Sequence, residues 1–279
     1  MSVYGKRGSI VRILYLGVAL FWWLCSGFGL FYRNRMIVFC YHGILNHQRH
    51  KFRRQMIRIA KRVISGDAID ANYGNRKQKL PSICLTFDDA FENLITNAFP
   101  ILMELNLPAT IFVVTGNLGT TPGWSMPPGH PEKNERTMTW DQIKATSANE
   151  LFQFGSHTLT HPNLTHISDS CIQNELVESK NNLEEQLGTL VTGLALPYGA
   201  YDDRIIQMAQ DVGYKRIFTL DHLPVIGVDP KRRVGRFSMS PDIWEIEFIL
   251  TCSGAYAWLY PWRRLLGGIR RYLALRKRL

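Results

Sequence analysis

The chain has 279 residues, of which 46% are hydrophobic and 20% are charged. This length suits one large α/β domain or two small ones, and it excludes a disulfide miniprotein and a disordered tail. Five cysteines stand far apart without a C-x-x-C pair. Neither a cysteine-based zinc site nor a dense disulfide framework is therefore expected, and the scattered thiols favour a reducing compartment.

The formal net charge of +10 is unevenly distributed. Residues 1–80 have a net charge of +13, residues 81–252 a net charge of −10, and residues 253–279 a net charge of +7 with no acid at all. An excess of positive charge predicts a polyanionic partner, either nucleic acid or an anionic membrane. In this chain the positive charge lies at the two ends, so the ends and not the middle are expected to contact such a partner.

The first predicted element is an uncharged run of 20 residues at positions 13–32. At about 1.5 Å per residue, a helix of this length reaches roughly 30 Å, the thickness of a bilayer core. The run is apolar on every face, which favours membrane contact as a span, an in-plane hairpin or a half-buried helix. A cleaved signal peptide and an apolar core helix are the less favoured alternatives.

Short apolar runs then alternate with amphipathic stretches. The predicted strands are 36–41, 82–87, 109–114, 151–155, 192–196, 215–219 and 234–238. The predicted helices are 49–64, 94–105, 140–146, 168–186, 203–211 and 241–250. This alternation is typical of parallel βαβ units and predicts an α/β fold whose sheet of about seven strands closes, or nearly closes, into a barrel.

The last predicted element, from Trp262 onwards, is a basic amphipathic helix. Apolar residues recur there at helical spacing, while pairs of cations recur every seven residues. Such a helix is typical of the surface of an anionic membrane. An ordinary surface helix that packs on the domain is the alternative.

Chemically active residue types follow three predicted strands, at the ends where a parallel barrel gathers its chemistry. They are Asp88 and Asp89, then His157 and His161, then Tyr198. Two imidazoles and one carboxylate make an open three-ligand metal site. The second carboxylate is then free to accept a proton. A helix N-terminus for the aspartates and a surface position for the histidines are the alternatives.

These segments resemble the first three motifs of the polysaccharide deacetylase family, also described as the NodB-homology domain or carbohydrate esterase family 4. The motifs are Thr86-Phe87-Asp88-Asp89, Ser156-His157-x-x-x-His161-Pro162 and Leu196-Pro197-Tyr198-Gly199. The resemblance extends over roughly residues 36–249. It implies a distorted (β/α) barrel and metal-dependent hydrolysis of an N-acetyl or related acyl group on an amino sugar.

The resemblance also implies a role for each matching residue. Asp89, His157 and His161 would bind a divalent metal, with Zn²⁺ the expected ion. Asp88 would be the general base for the attacking water. The backbone N–H of Tyr198 would help to hold the oxyanion of the tetrahedral intermediate.

Two departures from the family pattern concern the groups around the base. Ala195 stands where many members have an arginine that pairs with the base, and Arg236 could supply that guanidinium from a neighbouring strand; a surface arginine is an equally weighted alternative. The last family motif normally brings a histidine that protonates the leaving amine, but no histidine follows His222. His42, after the first strand, and His222 are therefore both candidates for the acid.

The favoured function is a membrane-associated, metal-dependent hydrolase that deacylates an amino-sugar polysaccharide or a lipid-linked saccharide. The alternative is a catalytically impaired relative that acts as a carbohydrate-binding or scaffold module. No nucleic-acid partner is expected, because no recognisable module is present. The expected organisation is a membrane-associating segment at 1–35, a catalytic barrel at 36–252 and a basic tail at 253–279, at a bacterial inner membrane with the barrel facing the cytoplasm.

Overall fold

The structure is a computed structural model that describes residues 9–70, 80–225 and 229–262. Its centre is an eight-stranded sheet in the order β7-β6-β5-β4-β3-β2-β1-β8, in which all neighbouring strands are parallel. The strands are β1 Met36–Tyr41, β2 Ser82–Phe87, β3 Ala109–Val113, β4 Phe152–Ser156, β5 Gly193–Ala195, β6 Arg216–Phe218, β7 Arg233–Val234 and β8 Arg236–Ser238. The α/β class with a parallel sheet is therefore confirmed.

The α-helices connect these strands or flank them. They are α1 Ser9–Cys25, α2 Arg49–Ile59, α3 Asn93–Asn97, α4 Phe99–Glu104, α5 Trp140–Ser147, α6 Asp169–Leu187, α7 Asp203–Asp211 and α8 Glu245–Cys252. The predicted helix at 94–105 is divided into α3 and α4, because Pro100 lacks the N–H that would continue the helical ladder. α6 begins where the Ser168 side chain accepts a hydrogen bond from Cys171 N–H and ends at Gly188, which has a φ of 64°.

The predicted strand at 234–238 is split into β7 and β8 at Gly235. β7 pairs with β6 and β8 pairs with β1, so consecutive segments of chain join the two edges of the sheet. A Cβ at Gly235 would lie 2.6 Å from the carbonyl oxygen of Asp221. Glycine is therefore required where the loop after β6 crosses the junction, and the sheet is consistent with a distorted barrel.

The apolar residues form two clusters, one on each side of the sheet. The larger cluster includes Ile37, Phe39 and Tyr41 of β1, which pack with residues of the helices. A smaller cluster draws all but one of its members, Ile69, from six strands: Met36, Val38, Cys84, Phe112, Ala195, Phe218 and Val234. Alternate residues of β1 thus face opposite sides, and both sides are buried, as expected for a covered parallel sheet.

α1 lies against α8 and the segment that follows it. Arg12 Nε donates a hydrogen bond of 2.8 Å to Glu247 Oε1, and the Tyr15 ring stacks on Trp258 at 5.2 Å. The apolar run at 13–32 does not continue as one helix, because it turns at residues 26–29 before a short 3₁₀ turn, Leu30–Tyr32. Among the described residues, no helix is both long and apolar enough to cross a membrane. The basic helix predicted after Trp262 lies outside the described residues.

Candidate active site

The sequence-predicted site residues follow the carboxyl ends of their strands. Because these ends meet at one edge of a parallel sheet, the side chains converge. His42 follows β1, Asp88 and Asp89 follow β2, His157 follows β4 and Tyr198 lies three residues after β5. The helix N-terminus considered for the two aspartates is not formed by them, since α3 begins only at Asn93.

Asp89, His157 and His161 form one buried cluster of metal-ligand type. Asp89 Oδ1 lies 3.5 Å from His157 Nε2 and 3.6 Å from His161 Nε2. Donors bonded at about 2.1 Å to one tetrahedral ion are about 3.4 Å apart. Both distances from Asp89 Oδ1 therefore fit a single metal ion, and all three donor atoms lie within 4.8 Å of one another.

The polar atoms of this cluster also indicate a cation. Asp89 Oδ1 and His161 Nδ1 are buried, and neither has a hydrogen-bond partner in the described part of the chain. Burial, together with the charge of Asp88, holds the pKa of Asp89 well above its usual range. Unpaired buried polar atoms are uncommon, so a divalent ion bound at Asp89 Oδ1 would satisfy an atom that the described part of the protein leaves unpaired.

A backbone contact orients one of the two imidazoles. His157 Nδ1 lies 2.8 Å from the carbonyl oxygen of Ala195. With Nδ1 as the donor, the proton resides on that nitrogen and Nε2 keeps its lone pair. The residue that replaces the family's arginine thus contributes to the site through its main chain.

The turn between the two histidines has a strained backbone. Thr158 and His161 have φ values of 66° and 60°, and Asp89 has one of 69°. Non-glycine residues rarely adopt this left-handed region, and such residues concentrate at functional sites. The Thr158 hydroxyl accepts a hydrogen bond of 3.1 Å from the His161 N–H, which stabilises the turn.

Glu175 of α6 forms hydrogen bonds with the turn between His157 and His161. Its Oε2 accepts hydrogen bonds of 2.8 Å from the N–H groups of Leu159 and Thr160, and its Oε1 accepts one from the Thr160 hydroxyl. Glu175 is buried. Its carboxylate therefore ties α6 to the loop that carries both histidine ligands.

Asp88 has a different environment from its neighbour. Arg236 donates two hydrogen bonds to it, Nη1 to Oδ1 at 2.6 Å and Nη2 to Oδ2 at 2.9 Å. Cys40 Sγ lies 3.2 Å from Oδ2. Burial alone would raise the pKa of Asp88, but the Arg236 guanidinium outweighs it and holds the pKa well below its usual range. Asp88 is thus an ionised carboxylate, and Arg236 is fully buried and not a surface residue.

The two candidate acids, His42 and His222, have different neighbours. A ring nitrogen of His42 lies within 4.8 Å of both the Asp88 carboxylate and Cys40 Sγ. Burial lowers the pKa of His42 to about 4, although the charge of Asp88 opposes the shift. His222 is buried elsewhere, with Nδ1 3.1 Å from the carbonyl oxygen of Leu220 and its ring against Phe237. Of the two histidines, His42 is the one that forms a cluster with Asp88.

The long loop at 119–131 contributes residues that the sequence analysis did not select. The Trp124 ring stacks on the His161 ring at 4.8 Å, and the Tyr198 ring meets His161 edge-on at 4.7 Å. Tyr198 Oη donates a hydrogen bond of 3.3 Å to the carbonyl oxygen of Ser125. A lone tryptophan in a Pro/Gly-rich loop has no periodic signal, so only the fold shows its position.

Two buried polar residues beside the site were also missed. Cys40 precedes His42 by two positions, and only the strand alternation of β1 could have placed its thiol near Asp88. Glu132 is buried beyond the long loop and accepts a hydrogen bond from the backbone N–H of Gly43. Burial raises the pKa of Glu132 to about 8.

A parallel β/α fold with an Asp-His-His cluster beside a buried, ionised aspartate has the features of a metal-assisted hydrolase. A sequence model of the polysaccharide deacetylase family matches residues 75–217, just over half of the chain. The chain therefore belongs to the polysaccharide deacetylase family, as its motifs predict.

Curated relatives carry the name poly-β-1,6-N-acetyl-D-glucosamine N-deacetylase. The protein of Staphylococcus aureus strain MRSA252 is 26% identical over 186 residues, which cover 62% of this chain and 60% of the relative. The Staphylococcus epidermidis protein is 27% identical over 179 residues, which cover 61% and 59%. The matched region thus spans about 60% of the length of these relatives.

Solved structures show the same fold. IcaB from Ammonifex degensii matches with a TM-score of 0.65 and 22% identity, over 79% of this chain and 97% of that one. The Streptococcus pyogenes deacetylase PplD, solved with acetate, matches with a TM-score of 0.63 and 22% identity, over 78% and 98%. At this identity, the likeness establishes the fold of the barrel.

Proposed function

We propose that the protein is a metal-dependent N-deacetylase of an amino-sugar glycan. The observation that carries the proposal is the pairing of an ionised Asp88, held by Arg236, with a separate Asp89-His157-His161 cluster. Asp88 Oδ2 lies 3.9 Å from His157 Nε2, so a base and a metal site adjoin each other. The names of the relatives support an N-acetylglucosamine polymer as the substrate; a lipid-linked saccharide is the second candidate.

The proposed cofactor is Zn²⁺, held by Asp89 Oδ1 and by Nε2 of His157 and His161. Nitrogen and oxygen donors in an open three-ligand set are typical of catalytic zinc. When bound, the ion supplies Lewis acidity, which polarises the amide carbonyl and lowers the pKa of water.

Asp88 is the proposed general base. The attacking water gives its proton to this carboxylate as the water oxygen bonds to the acyl carbon. Arg236 keeps Asp88 ionised and fixes both of its oxygens, so the base is available without reorganisation. The backbone N–H of Tyr198, in a turn with φ of 58°, is the proposed donor to the developing oxyanion.

His42 is the proposed acid. Its imidazole is neutral at rest because burial lowers its pKa to about 4. Its position beside Asp88 suits it to pass the proton taken from water to the leaving amine as the C–N bond breaks. The overall step consumes one water and yields a free amine and acetate.

The alternative of a catalytically impaired binding module is not favoured. It rested on the missing arginine at Ala195 and on the missing late histidine. Arg236 and His42 both lie beside Asp88, which supports Arg236 as its counterion and His42 as the acid.

Acetate release from N-acetylated β-1,6-glucosamine oligomers tests the proposed function. We expect a chelator to abolish release, Zn²⁺ to restore it, and Asp88→Asn to reduce kcat at least about 10³-fold, since removal of a base costs this order of rate. Asp141→Asn, at an exposed aspartate of α5, is the matched control. Activity that survives both the chelator and Asp88→Asn would disprove the mechanism, and protein that never retains stoichiometric metal would favour the binding module.

We also propose that the enzyme works at an anionic bacterial inner membrane with its barrel towards the cytoplasm. The support is the distribution of charge, because cations at 33–62 follow the apolar run on the side of the barrel. Protease added to intact spheroplasts should spare the barrel, whereas protease added to inverted vesicles should digest it. The opposite pattern would place the barrel outside.

A further inference from the structure

From Ile13 onwards helix α1 is apolar all round, but the domain buries only one side of it. Ala19 is fully buried, and Tyr15 and Leu16 pack against the core. On the other side, large apolar side chains remain in contact with solvent. We call the following residues, each more than half exposed, the docking face: Ile10, Ile13, Leu14, Phe21, Leu24, Phe28, Leu30 and Phe31.

The docking face is continuous along the chain. It runs down the outer side of α1 and onto the turn that follows it. Exposed apolar side chains are normal when scattered, but a contiguous patch marks a surface that something covers. Burying such side chains is favourable in proportion to the area removed from water.

Specific contacts hold α1 flat against the domain. Glu247 is only 1% exposed, and its partner from α1 is the Arg12 guanidinium. The turn after α1 also packs tightly on the segment after α8, because a Cβ at Gly29 would lie 2.9 Å from Cβ of Ser253. If α1 left the domain, a buried carboxylate would lose its counterion.

The stretches of sequence that border the docking face carry cations but no acid, although Arg12 is paired with Glu247 of α8. The sequence has no acid before Asp67, while Arg12, Arg33 and Arg35 border the face. Beyond Trp262, which is half exposed, the remaining 17 residues contain seven cations and no acid. A second copy of the chain would bring like charges together at this surface, whereas anionic lipid headgroups complement them.

We propose that the docking face inserts in the plane of one leaflet of an anionic bilayer, with the barrel resting on the membrane surface. Half-exposed Trp22 and Trp262 suit the boundary between headgroups and acyl chains. The partner is therefore a lipid surface and not a protein. This inference rests on the proposed location at an anionic membrane but not on the deacetylase chemistry, so a failure of insertion would leave the proposed deacetylase activity standing.

Flotation of the full chain with vesicles tests the insertion. We expect binding to phosphatidylcholine vesicles that contain phosphatidylglycerol, and weaker binding in high salt or to phosphatidylcholine alone. The triple variant Phe21→Ser, Phe28→Ser and Phe31→Ser should reduce binding at least tenfold without loss of folding, because it removes exposed side chains. The matched control, Met103→Ser with Leu190→Ser, changes apolar residues that are exposed elsewhere.

Equal flotation of the triple variant and its control would overturn the proposal. If the face mediates self-association instead, the parent protein should sediment as a dimer and the triple variant as a monomer. Neither the parent nor the triple variant should then bind vesicles. That result would also overturn it.

Spin labels distinguish in-plane insertion from a span. The exposed cysteines Cys25 and Cys171 are first replaced by serine, and single labels are then placed at positions 14, 21 and 28. In-plane insertion predicts similar shallow depths for all three labels, about 5–10 Å below the headgroups. A label at 21 near the bilayer centre, with shallower labels on either side, would contradict the proposal.

Discussion

Asp88 and Asp89 are adjacent, chemically identical and equally buried, yet their pKa values are displaced in opposite directions. The Arg236 guanidinium contacts Asp88 and keeps it ionised, whereas the charge of Asp88 adds to burial in disfavouring ionisation of Asp89. Asp89 is therefore the carboxylate that gains most from a bound cation. Environments that separate the pKa values of two acids also separate their roles.

Glu175 offers a test of how the histidine turn is held. Both backbone hydrogen bonds are accepted by one atom, Oε2, and Glu175→Met removes that acceptor. We expect the Kd for Zn²⁺ to rise by roughly 10–100-fold, as for other groups that orient metal ligands. Competition with a chromophoric chelator measures the change, and kcat at saturating metal should largely recover.

Glu178→Met is the matched control for this change, because Glu178 is an exposed acid of the same helix. If the Glu175 variant and this control bound Zn²⁺ equally well, Glu175 would have no part in orienting the ligands.

Glu132 predicts a pH dependence of stability in the metal-free protein. Its pKa is about 8 in the folded state against an ordinary value of 4.5. Between these values the unfolded chain has released the proton that the folded protein retains, so the free energy of unfolding falls as pH rises, with a limiting slope of about 1.4 kcal/mol per pH unit. Glu132→Gln removes this contribution, so its stability relative to the parent should increase from pH 5 to pH 8.

Denaturant titrations at several pH values measure this difference. A difference that is constant from pH 5 to pH 8 would show that Glu132 is ionised in the folded state.

The choice between His42 and His222 shows what a sequence can and cannot determine at this scale. Both histidines follow predicted strands, so the sequence around them does not distinguish one from the other as the acid. They differ only because the loop after β6 carries His222 to Phe237, whereas β1 ends beside Asp88. The metal cluster was predictable because its residues directly follow strands or lie on one tight turn.

At the scale of elements, the sequence predicts buried strands best. The bounds 36–41 and 82–87 are those of β1 and β2, since strands buried on both faces are uninterrupted apolar runs. Pro100 indicates a break in the predicted helix at 94–105, but the helical spacing of the apolar residues there favours one continuous helix. The early turn at 26–29 was hidden because Gly27 and Gly29 lie within an otherwise continuous apolar run.

The pairing of α1 with α8 predicts the effect of removing Arg12. Arg12→Met leaves the buried Glu247 without its guanidinium and should lower the free energy of unfolding by about 2 kcal/mol. The double variant with Glu247→Gln should recover part of this loss. Chemical denaturation monitored by tryptophan fluorescence measures both.

Arg53→Met is the control, since Arg53 and Glu104 form an exposed pair worth less than about 1 kcal/mol. Equal losses in the Arg12 and Arg53 variants would mean that α1 is not anchored through Glu247.

At the scale of the whole molecule, the barrel depends on the junction between β7 and β8. Gly235→Ala would place a Cβ 2.6 Å from the Asp221 carbonyl oxygen and 2.7 Å from that of Leu223. We expect a loss of stability of about 1–3 kcal/mol, typical of overpacking. Activity should fall as well, because Arg236 is the next residue.

Gly17→Ala is the control for this change. No atom lies within 4 Å of a Cβ at Gly17, in the middle of α1, so the substitution should stabilise the protein by roughly 0.5–1 kcal/mol. Thermal unfolding compares the two, and a Gly235 variant as stable as the parent would show that the junction tolerates a side chain.

The ion pair between Asp88 and Arg236 joins residues 148 positions apart in the chain. During synthesis at about 5–20 residues per second, the arginine follows the aspartate by on the order of 10 s. All three donors of the Asp-His-His cluster leave the ribosome within that interval. A nascent chain can thus present the three donors of the cluster while Asp88 still lacks the counterion that it needs once it is buried, and the proposed site is complete only when the last strand has been added.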